Sequence, residues 1–176
     1  EYVHHIFTTI ARHYDLMNTL LSFNRDRGWR RTAVRESGMH EGGYALDVCC
    51  GTGMLALALA GQAGVSGRVV GLDFNEDMLR VARANLARSP YGERVQLVQG
   101  NAMSLPFPDN TFDCATTGFA LRNVPDIKTV LREMTRVVRP GGRVVSLELA
   151  KPSAPFFKQA YYLYFDRLVP LLGRLG

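Results

Sequence analysis

The sequence has few of the residues that mark disulfide-stabilised, metal-binding or membrane-spanning proteins. Its three cysteines, Cys49, Cys50 and Cys114, are not spaced like a disulfide framework or a zinc knuckle. All four histidines fall in the first forty residues, and no carboxylate or cysteine completes a ligand set with them. No apolar run of about eighteen residues occurs, so we expect no transmembrane helix. Together these absences favour a reducing, cytoplasmic compartment and no bound metal.

Long runs of one charge are also absent. The net charge is +5 and the isoelectric point is about 9.4, with the densest positive stretch at residues 25–31. This stretch can attract anionic lipid, but an exposed helix face is the simpler interpretation. We expect no nucleic-acid partner. At 176 residues, 47% of them hydrophobic, the chain is sufficient for about one domain with its own core.

Strands and helices alternate along the sequence, which predicts an α/β fold with a parallel sheet and helices on both faces. Helices are expected at residues 54–60, after the N-cap Asn75, and from Asp126 to a stop at Pro140-Gly141-Gly142. The predicted strands are residues 44–49, 68–73, 95–99, 112–117 and 144–149. In the last helix the expected core residues are Ile127, Val130, Leu131, Met134 and Val138.

The turn between the first strand and the first helix is the strongest functional signal. It reads Asp47-Val48-Cys49-Cys50-Gly51-Thr52-Gly53, and Gly51 and Gly53 let the backbone turn tightly and approach a ligand. The second strand ends on Asp73, twenty residues after Gly53. A carboxylate at that point can accept hydrogen bonds from two ribose hydroxyls. The pattern therefore indicates a site for an adenosine-type cofactor.

Asp47 indicates which of two cofactor classes, a dinucleotide or S-adenosylmethionine, such a turn would bind. The glycine spacing alone is compatible with a dinucleotide, because Ala56 stands at the third glycine position. A carboxylate just before the turn would repel a pyrophosphate but suits an ammonium group. S-adenosylmethionine carries an ammonium, a sulfonium and a ribose and has no phosphate. The segment resembles the first motif of class I methyltransferases, with Asp73 as their second acidic motif; a tight turn without a ligand is the alternative.

A polar turn follows the third strand, at Gly100-Asn101-Ala102-Met103. There a polar side chain and a backbone N–H can recognise the edge of adenine, and Asn101 offers both a donor and an acceptor. The predicted cofactor-binding residues are thus Asp47, Cys49, Gly51, Gly53, Asp73, Phe74, Asn101, Ala102 and Met103.

Three further segments resemble signatures of the ubiquinone/menaquinone biosynthesis C-methyltransferases. They are residues 14–22 with Trp29, residues 118–124, and residues 136–144 leading to Glu148. Asp26 and Ala150 depart from the family pattern, because histidine and serine are usual at these positions. The departures leave the cofactor motifs intact, so they bear on the substrate more than on the reaction.

The resemblance implies a Rossmann-like class I fold and methyl transfer from S-adenosylmethionine to a ring carbon of a reduced polyprenyl quinone. The substrate would be demethylmenaquinol or its ubiquinone-pathway equivalent. Such a carbon becomes nucleophilic when the neighbouring hydroxyl loses a proton, so the site must favour a phenolate and hold the carbon in line. Arg122 is expected to stabilise the phenolate, Asn123 to orient a quinol oxygen, and Tyr14 to hydrogen-bond or move a proton. The alternatives are a methyltransferase of another small molecule and a non-catalytic cofactor-binding subunit of a quinone-biosynthesis complex.

The chain is expected to divide into three regions. Residues 1–40 would form a helical lid and substrate segment, residues 41–150 the cofactor-binding core, and residues 151–176 an aromatic helix. Class I methyltransferases have two more strands after the fifth, so we expect a truncated, five-stranded sheet with an exposed edge. The aromatic side chains of the helix expected in residues 151–176 can form a wall for the isoprenoid tail, a membrane-facing patch, a homodimer surface or plain core. The expected location is cytoplasmic, with a peripheral membrane position as the alternative.

Overall fold

Five strands organise residues 25–149, the part of the chain that the computed structural model describes. They are β1 Tyr44–Val48, β2 Arg68–Asp73, β3 Val95–Gln99, β4 Phe112–Gly118 and β5 Val138–Leu147. All pairings are parallel, and the order across the sheet is β3-β2-β1-β4-β5. The chain direction across the sheet switches at β1, and open parallel sheets bind ligands beyond the carboxyl ends of the strands at such a point.

The helices of the described range connect these strands or precede them. They are α1 Asp26–Glu36, α2 Met54–Gln62, α3 Glu76–Ala87 and α4 Ile127–Val137, with 3-10 turns at Gly92–Arg94 and Leu121–Asn123. Asn75 caps α3 as predicted, because its Oδ1 accepts from the N–H groups of Asp77 and Met78. Asp126 caps α4 by accepting from the N–H of Lys128. Within this range no helix has the length and apolar character needed to cross a membrane.

Helices cover both faces of the sheet, which confirms the predicted fold class. Successive strand residues point to opposite faces, so the central strands contribute to two separate core clusters. One cluster packs strand residues such as Leu46 and Ala115 against α4, while the other packs Ala45 and Cys114 against α1 and α2. The carboxyl ends of the strands are thereby fixed from both sides.

The end of α4 differs from the prediction. The helix ends at Val137, and Val138 already pairs with Phe112, so β5 begins six residues earlier than expected. The Pro140-Gly141-Gly142 segment lies inside β5, at a shift in register against β4, and does not terminate the helix. A Cβ at Gly142 would collide with a backbone carbonyl of β4, which explains the glycine.

Two residues predicted to face the core from α4 do not do so. Ile127 is 45% exposed because it stands at the first position of the helix, ahead of the buried stripe formed by Val130 and Met134. Val138 is buried, but as the first residue of β5.

The loop from β3 to β4 is held by side chains of α4. Arg136 donates from Nη1 to the carbonyl of Phe107 at 2.8 Å and from Nη2 to the carbonyl of Leu105 at 3.0 Å. Glu133 accepts from the N–H of Leu105 at 2.7 Å and pairs with the Arg136 guanidinium. These contacts fix the loop that carries the predicted adenine-binding turn.

Candidate functional site

A cavity of about 500 Å³ lies at the carboxyl ends of the central strands. Its wall combines the turn after β1, the end of β2, the turn after β3, the loop after β4 and one residue of α1. This is the switch point of the sheet, where the fold positions ligands. The sequence-predicted residues on the wall are Cys49, Gly51, Asp73, Phe74, Asn101, Ala102, Met103 and Asn123.

The turn after β1 depends on left-handed backbone at three positions. Cys49, Gly51 and Gly53 have φ values of 55°, 54° and 80°. Among the described residues, a Cβ at Gly51 would meet only Met78 Cε within 4 Å, at 3.9 Å, so these residues leave open space on the cavity side. Gly53 is different: it is not on the wall, and its Cβ would crowd Ala82 of α3 at 3.3 Å. Gly53 therefore permits close helix packing rather than contact with a ligand.

Asp73 joins the turn after β1 to the end of β2. Its Oδ2 accepts from the N–H of Gly51 at 2.8 Å, and its Oδ1 accepts from the N–H of Asn75 at 2.9 Å. Burial raises the pKa of this carboxyl above its ordinary value, and the backbone donors oppose that rise. The backbone N–H of Phe74 also bonds this carboxylate, and its two oxygens together have about four acceptor sites, so Asp73 retains capacity for a hydroxyl from the cavity.

Asp47 lies behind the cavity wall and not on it. It is 1% exposed, and its Oδ1 accepts from the hydroxyl of Thr116 on β4 at 2.8 Å. Its Oδ2 has no hydrogen-bond partner among the described residues. Burial raises the pKa of this carboxyl to about 7, against the opposing bonds from Thr116 and the backbone of Ala56. A cation nearby would favour its charged form.

The turn after β3 presents donors more than acceptors. Oδ1 of Asn101 already accepts from the N–H of Met103 at 2.9 Å, which leaves this oxygen one further acceptor site for a ligand. The amide NH₂ of Asn101 and the N–H of Ala102 are not used by the hydrogen bonds of this turn. Phe74 lies on the same wall with 47% of its surface exposed, and Gln99 Nε2 donates to its carbonyl at 3.1 Å.

The loop after β4 begins at the strained residue Phe119, whose φ is 57°. The Leu121–Asn123 turn follows, and Glu148 holds it by accepting from the N–H of Leu121 at 2.8 Å. Asn123 is on the cavity wall, whereas Arg122 is exposed beside it and does not line the cavity. The third predicted catalytic residue, Tyr14, lies outside the described residues.

Sequence reasoning missed several residues of the wall, among them Arg30, Thr52, Met78, Phe119 and Leu147. Thr52 stands between the two motif glycines and was within reach of the same argument. Arg30 carries a weaker signal, since an acidic residue four positions earlier can pair with it on a helix. Phe119 lies in the segment 118–124 that resembles the family signature, whereas no pattern distinguished Leu147.

These acceptors suit a cofactor with ribose hydroxyls and an ammonium group, because Asp73 lies on the wall at the end of β2 and Asp47 lies behind it near the end of β1. Over its whole length, residues 1–176, the chain matches the ubiE/COQ5 methyltransferase family. The chain belongs to this family. The expected methyltransferase class and S-adenosylmethionine as cofactor are thereby confirmed.

Individual relatives agree with this family. The demethylmenaquinone methyltransferase of Desulfitobacterium hafniense is 53% identical over 174 residues, which are 99% of this chain and 69% of that protein. The protein of the same name from a Geobacillus species is 50% identical over 175 residues, 99% of this chain and 74% of that protein. The crystal structure of a SAM-dependent methyltransferase from Aquifex aeolicus is similar with a TM-score of 0.64 and 25% identity, covering 72% of this chain and 66% of that one.

Proposed function

We propose that this protein methylates a ring carbon of demethylmenaquinol, a reduced polyprenyl quinone, with S-adenosylmethionine as the methyl donor. The observation that carries the proposal is the cavity at the switch point, where a cofactor-type carboxylate, Asp73, and an apolar wall share one space. Relatives named demethylmenaquinone methyltransferase, about half identical over 99% of the chain, support the choice of substrate.

In this proposal the cofactor half of the cavity lies at β1, β2 and β3. Asp73 accepts the ribose hydroxyls, and the donors of the turn at Asn101 and Ala102 bind the adenine edge, with Phe74 against the ring. Asp47 acts from behind the wall by attracting the ammonium group across the turn. The bound cofactor supplies a methyl group on a positively charged sulfur.

The quinol half lies toward the loop after β4. Phe119, Val124 and Leu147 offer an apolar surface for the quinol ring, and Asn123 lies among them as a polar group that can orient a quinol oxygen. Arg122 lies next to Asn123 in the same turn. A guanidinium stays protonated, so Arg122 would stabilise a phenolate and not remove the proton itself. The proton would leave through water at the open cavity.

Residues 1–40 act as a lid in this proposal, over a core formed by residues 41–150. The supporting contacts come from α1, which places Arg30 on the cavity wall and the Trp29 ring 6.3 Å from that of Phe119. A polyprenyl quinol resides in the bilayer, and the exposed Arg27, Arg31 and Arg35 on α1 would favour contact with an anionic membrane surface.

The test is a methyl-transfer assay with S-adenosylmethionine labelled in the methyl group. Demethylmenaquinol, the benzoquinol precursor of the ubiquinone pathway and buffer alone are compared as acceptors. We expect label in the extracted menaquinol and little in the benzoquinol. Transfer to neither acceptor by a chain that binds S-adenosylhomocysteine would favour a non-catalytic subunit. Faster transfer to an unrelated small molecule would identify a different methyltransferase.

A further inference from the structure

Arg30 is a charged residue on the cavity wall that the proposed reaction has not used. Its residue surface is only 9% exposed, and its Nη1 pairs with Oδ2 of Asp26 at 3.0 Å, one helical turn earlier on α1. The Asp26 side chain is itself 4% exposed. Burying such a pair carries a large desolvation cost, so the fold holds this guanidinium at the cavity against an opposing free energy.

The position of Arg30 in the cavity follows from the sheet order. Asp73 and the turn at residues 101–103 come from β2 and β3, on one side of β1. The helix that carries Arg30 packs against α2 and also against β5, which lies on the other side of β1. The positive charge of Arg30 also acts on Asp47, where it opposes the rise in carboxyl pKa that burial causes. Arg30 is therefore at the β1–β4–β5 half of the cavity.

With ribose at Asp73 and adenine at the turn after β3, the remaining part of the cofactor extends into that half. This part is an amino acid, with one ammonium and one carboxylate. Asp47 offers the negative charge that suits the ammonium. A guanidinium is a planar fork that binds a carboxylate through two parallel N–H groups, and its second edge remains after one pairing.

We propose that Arg30 binds the carboxylate of the methionyl end of the cofactor, with Asp26 holding the guanidinium in place. The inference rests on the proposed function, because it takes the orientation of the cofactor from the roles given to Asp73 and Asn101. It explains a buried ion pair at the one point of α1 that reaches the cavity.

Decarboxylated S-adenosylmethionine tests the inference, since it differs from S-adenosylmethionine only in lacking the carboxylate. Titration calorimetry with the whole chain should show at least about tenfold tighter binding of the complete cofactor. Arg30→Met should weaken S-adenosylmethionine binding by about tenfold or more and leave the decarboxylated probe within about twofold. Arg31→Met removes the same charge from the exposed neighbouring position and should preserve the preference.

Equal weakening of both probes by Arg30→Met would overturn the inference and make Arg30 a structural partner of Asp26. If Arg30→Met does not fold, the same comparison is made with Arg30→Gln. A wild-type chain that binds S-adenosylmethionine and the decarboxylated probe equally also overturns the inference. Failure of the proposed function has a different signature. A chain with the expected carboxylate preference that methylates no quinol would refute the function and leave the role of Arg30 intact.

Discussion

Asp47 and Asp73 are two carboxylates of one motif with different physical situations. Asp73 is on the cavity wall and is held by backbone donors, whereas Asp47 is enclosed behind the turn with one oxygen unpaired among the described residues. A cation nearby would favour the charged form of both carboxyls, and their different burial decides which of them can touch it. Only Asp73 is in a position for direct hydrogen bonds with a ligand in the cavity.

Asp47 should make stability depend on pH. Its pKa is about 7 in the folded chain against an ordinary 3.8, so the folded state holds a proton that the unfolded state releases between these values. The stabilisation that comes from protonated Asp47 is complete at pH values below its ordinary pKa of 3.8. It is lost as the pH rises toward 7, by at most about 1.4 kcal/mol per pH unit. The side chain of Asp47→Asn cannot ionise. The free energy of unfolding of this variant, relative to that of wild type, should therefore rise between pH 3.8 and about 7 and level off above pH 7.

Denaturant unfolding of Asp47→Asn and wild type without ligand, across the same pH series, measures this difference. Parallel profiles for the two proteins would contradict the raised pKa. Asp73→Asn is the matched control, because it shows how much of the profile comes from the second carboxylate.

Arg122 should affect turnover far more than cofactor affinity. Its proposed partner is the phenolate that develops during the reaction, so Arg122→Ala should lower kcat by roughly a hundredfold while S-adenosylhomocysteine affinity stays within about twofold. Arg122→Lys keeps the charge and should recover part of the rate. Steady-state kinetics with calorimetry on the same preparations separates the two effects. If only cofactor binding falls, Arg122 belongs to the cofactor half and the assigned role is wrong.

At the scale of elements, β5 positions the loop after β4. Glu148 follows β5 directly and accepts from the N–H of Leu121, while the carbonyl of Leu147 accepts from the N–H of Phe119 at 2.7 Å. Glu148→Ala removes an acceptor from this turn, which also carries Asn123. We expect at least about a tenfold loss of kcat with S-adenosylhomocysteine affinity within about threefold. Glu148→Gln retains an acceptor oxygen and should recover most of the rate; equal losses in both variants would exclude the positioning role.

The α4 contacts to the loop after β3 should contribute stability. Arg136 donates to two backbone carbonyls of the loop and to the carboxylates of Asp109 and Glu133. The bonds to these two carboxylates raise the pKa of its guanidinium. Arg136→Met should lower the free energy of unfolding by about 2–3 kcal/mol. Arg132→Met, an exposed position on the same helix, should change it by less than about 0.5 kcal/mol. Urea denaturation compares them, and equal effects would show that the loop does not depend on Arg136.

For the whole molecule, the cofactor should stabilise the folded chain because its binding residues come from several strand ends. A ligand at about a hundred times its Kd adds about 2.7 kcal/mol, which corresponds to an increase in Tm of about 5–10 °C for a chain of this size. Thermal denaturation with and without S-adenosylhomocysteine measures this shift. Asp73→Ala should show little or no shift at the same ligand concentration. A full shift in that variant would remove Asp73 from the cofactor site.

The sequence alone determined the α/β class, the turn at Asp47–Gly53 and the place of Asp73. These are local properties: strand and helix periodicity, the left-handed backbone of Gly51 and the end of a strand can all be read within a few residues. The family resemblance depended on the same short segments. The local sequence did not determine where β5 begins, because its first residue is fixed by pairing with β4.

Only the tertiary structure decided which side chains meet at the cavity. Asp47 lies behind the wall because β1 pairs with β4 in a register that sets Thr116 beside it. Arg30 reaches the wall because α1 packs against β5, and Glu148 holds the Leu121 turn from 27 residues away. Such contacts join segments that are distant along the chain, so no local pattern contains them. The motifs thus define the cofactor class, while packing decides which charges act on it.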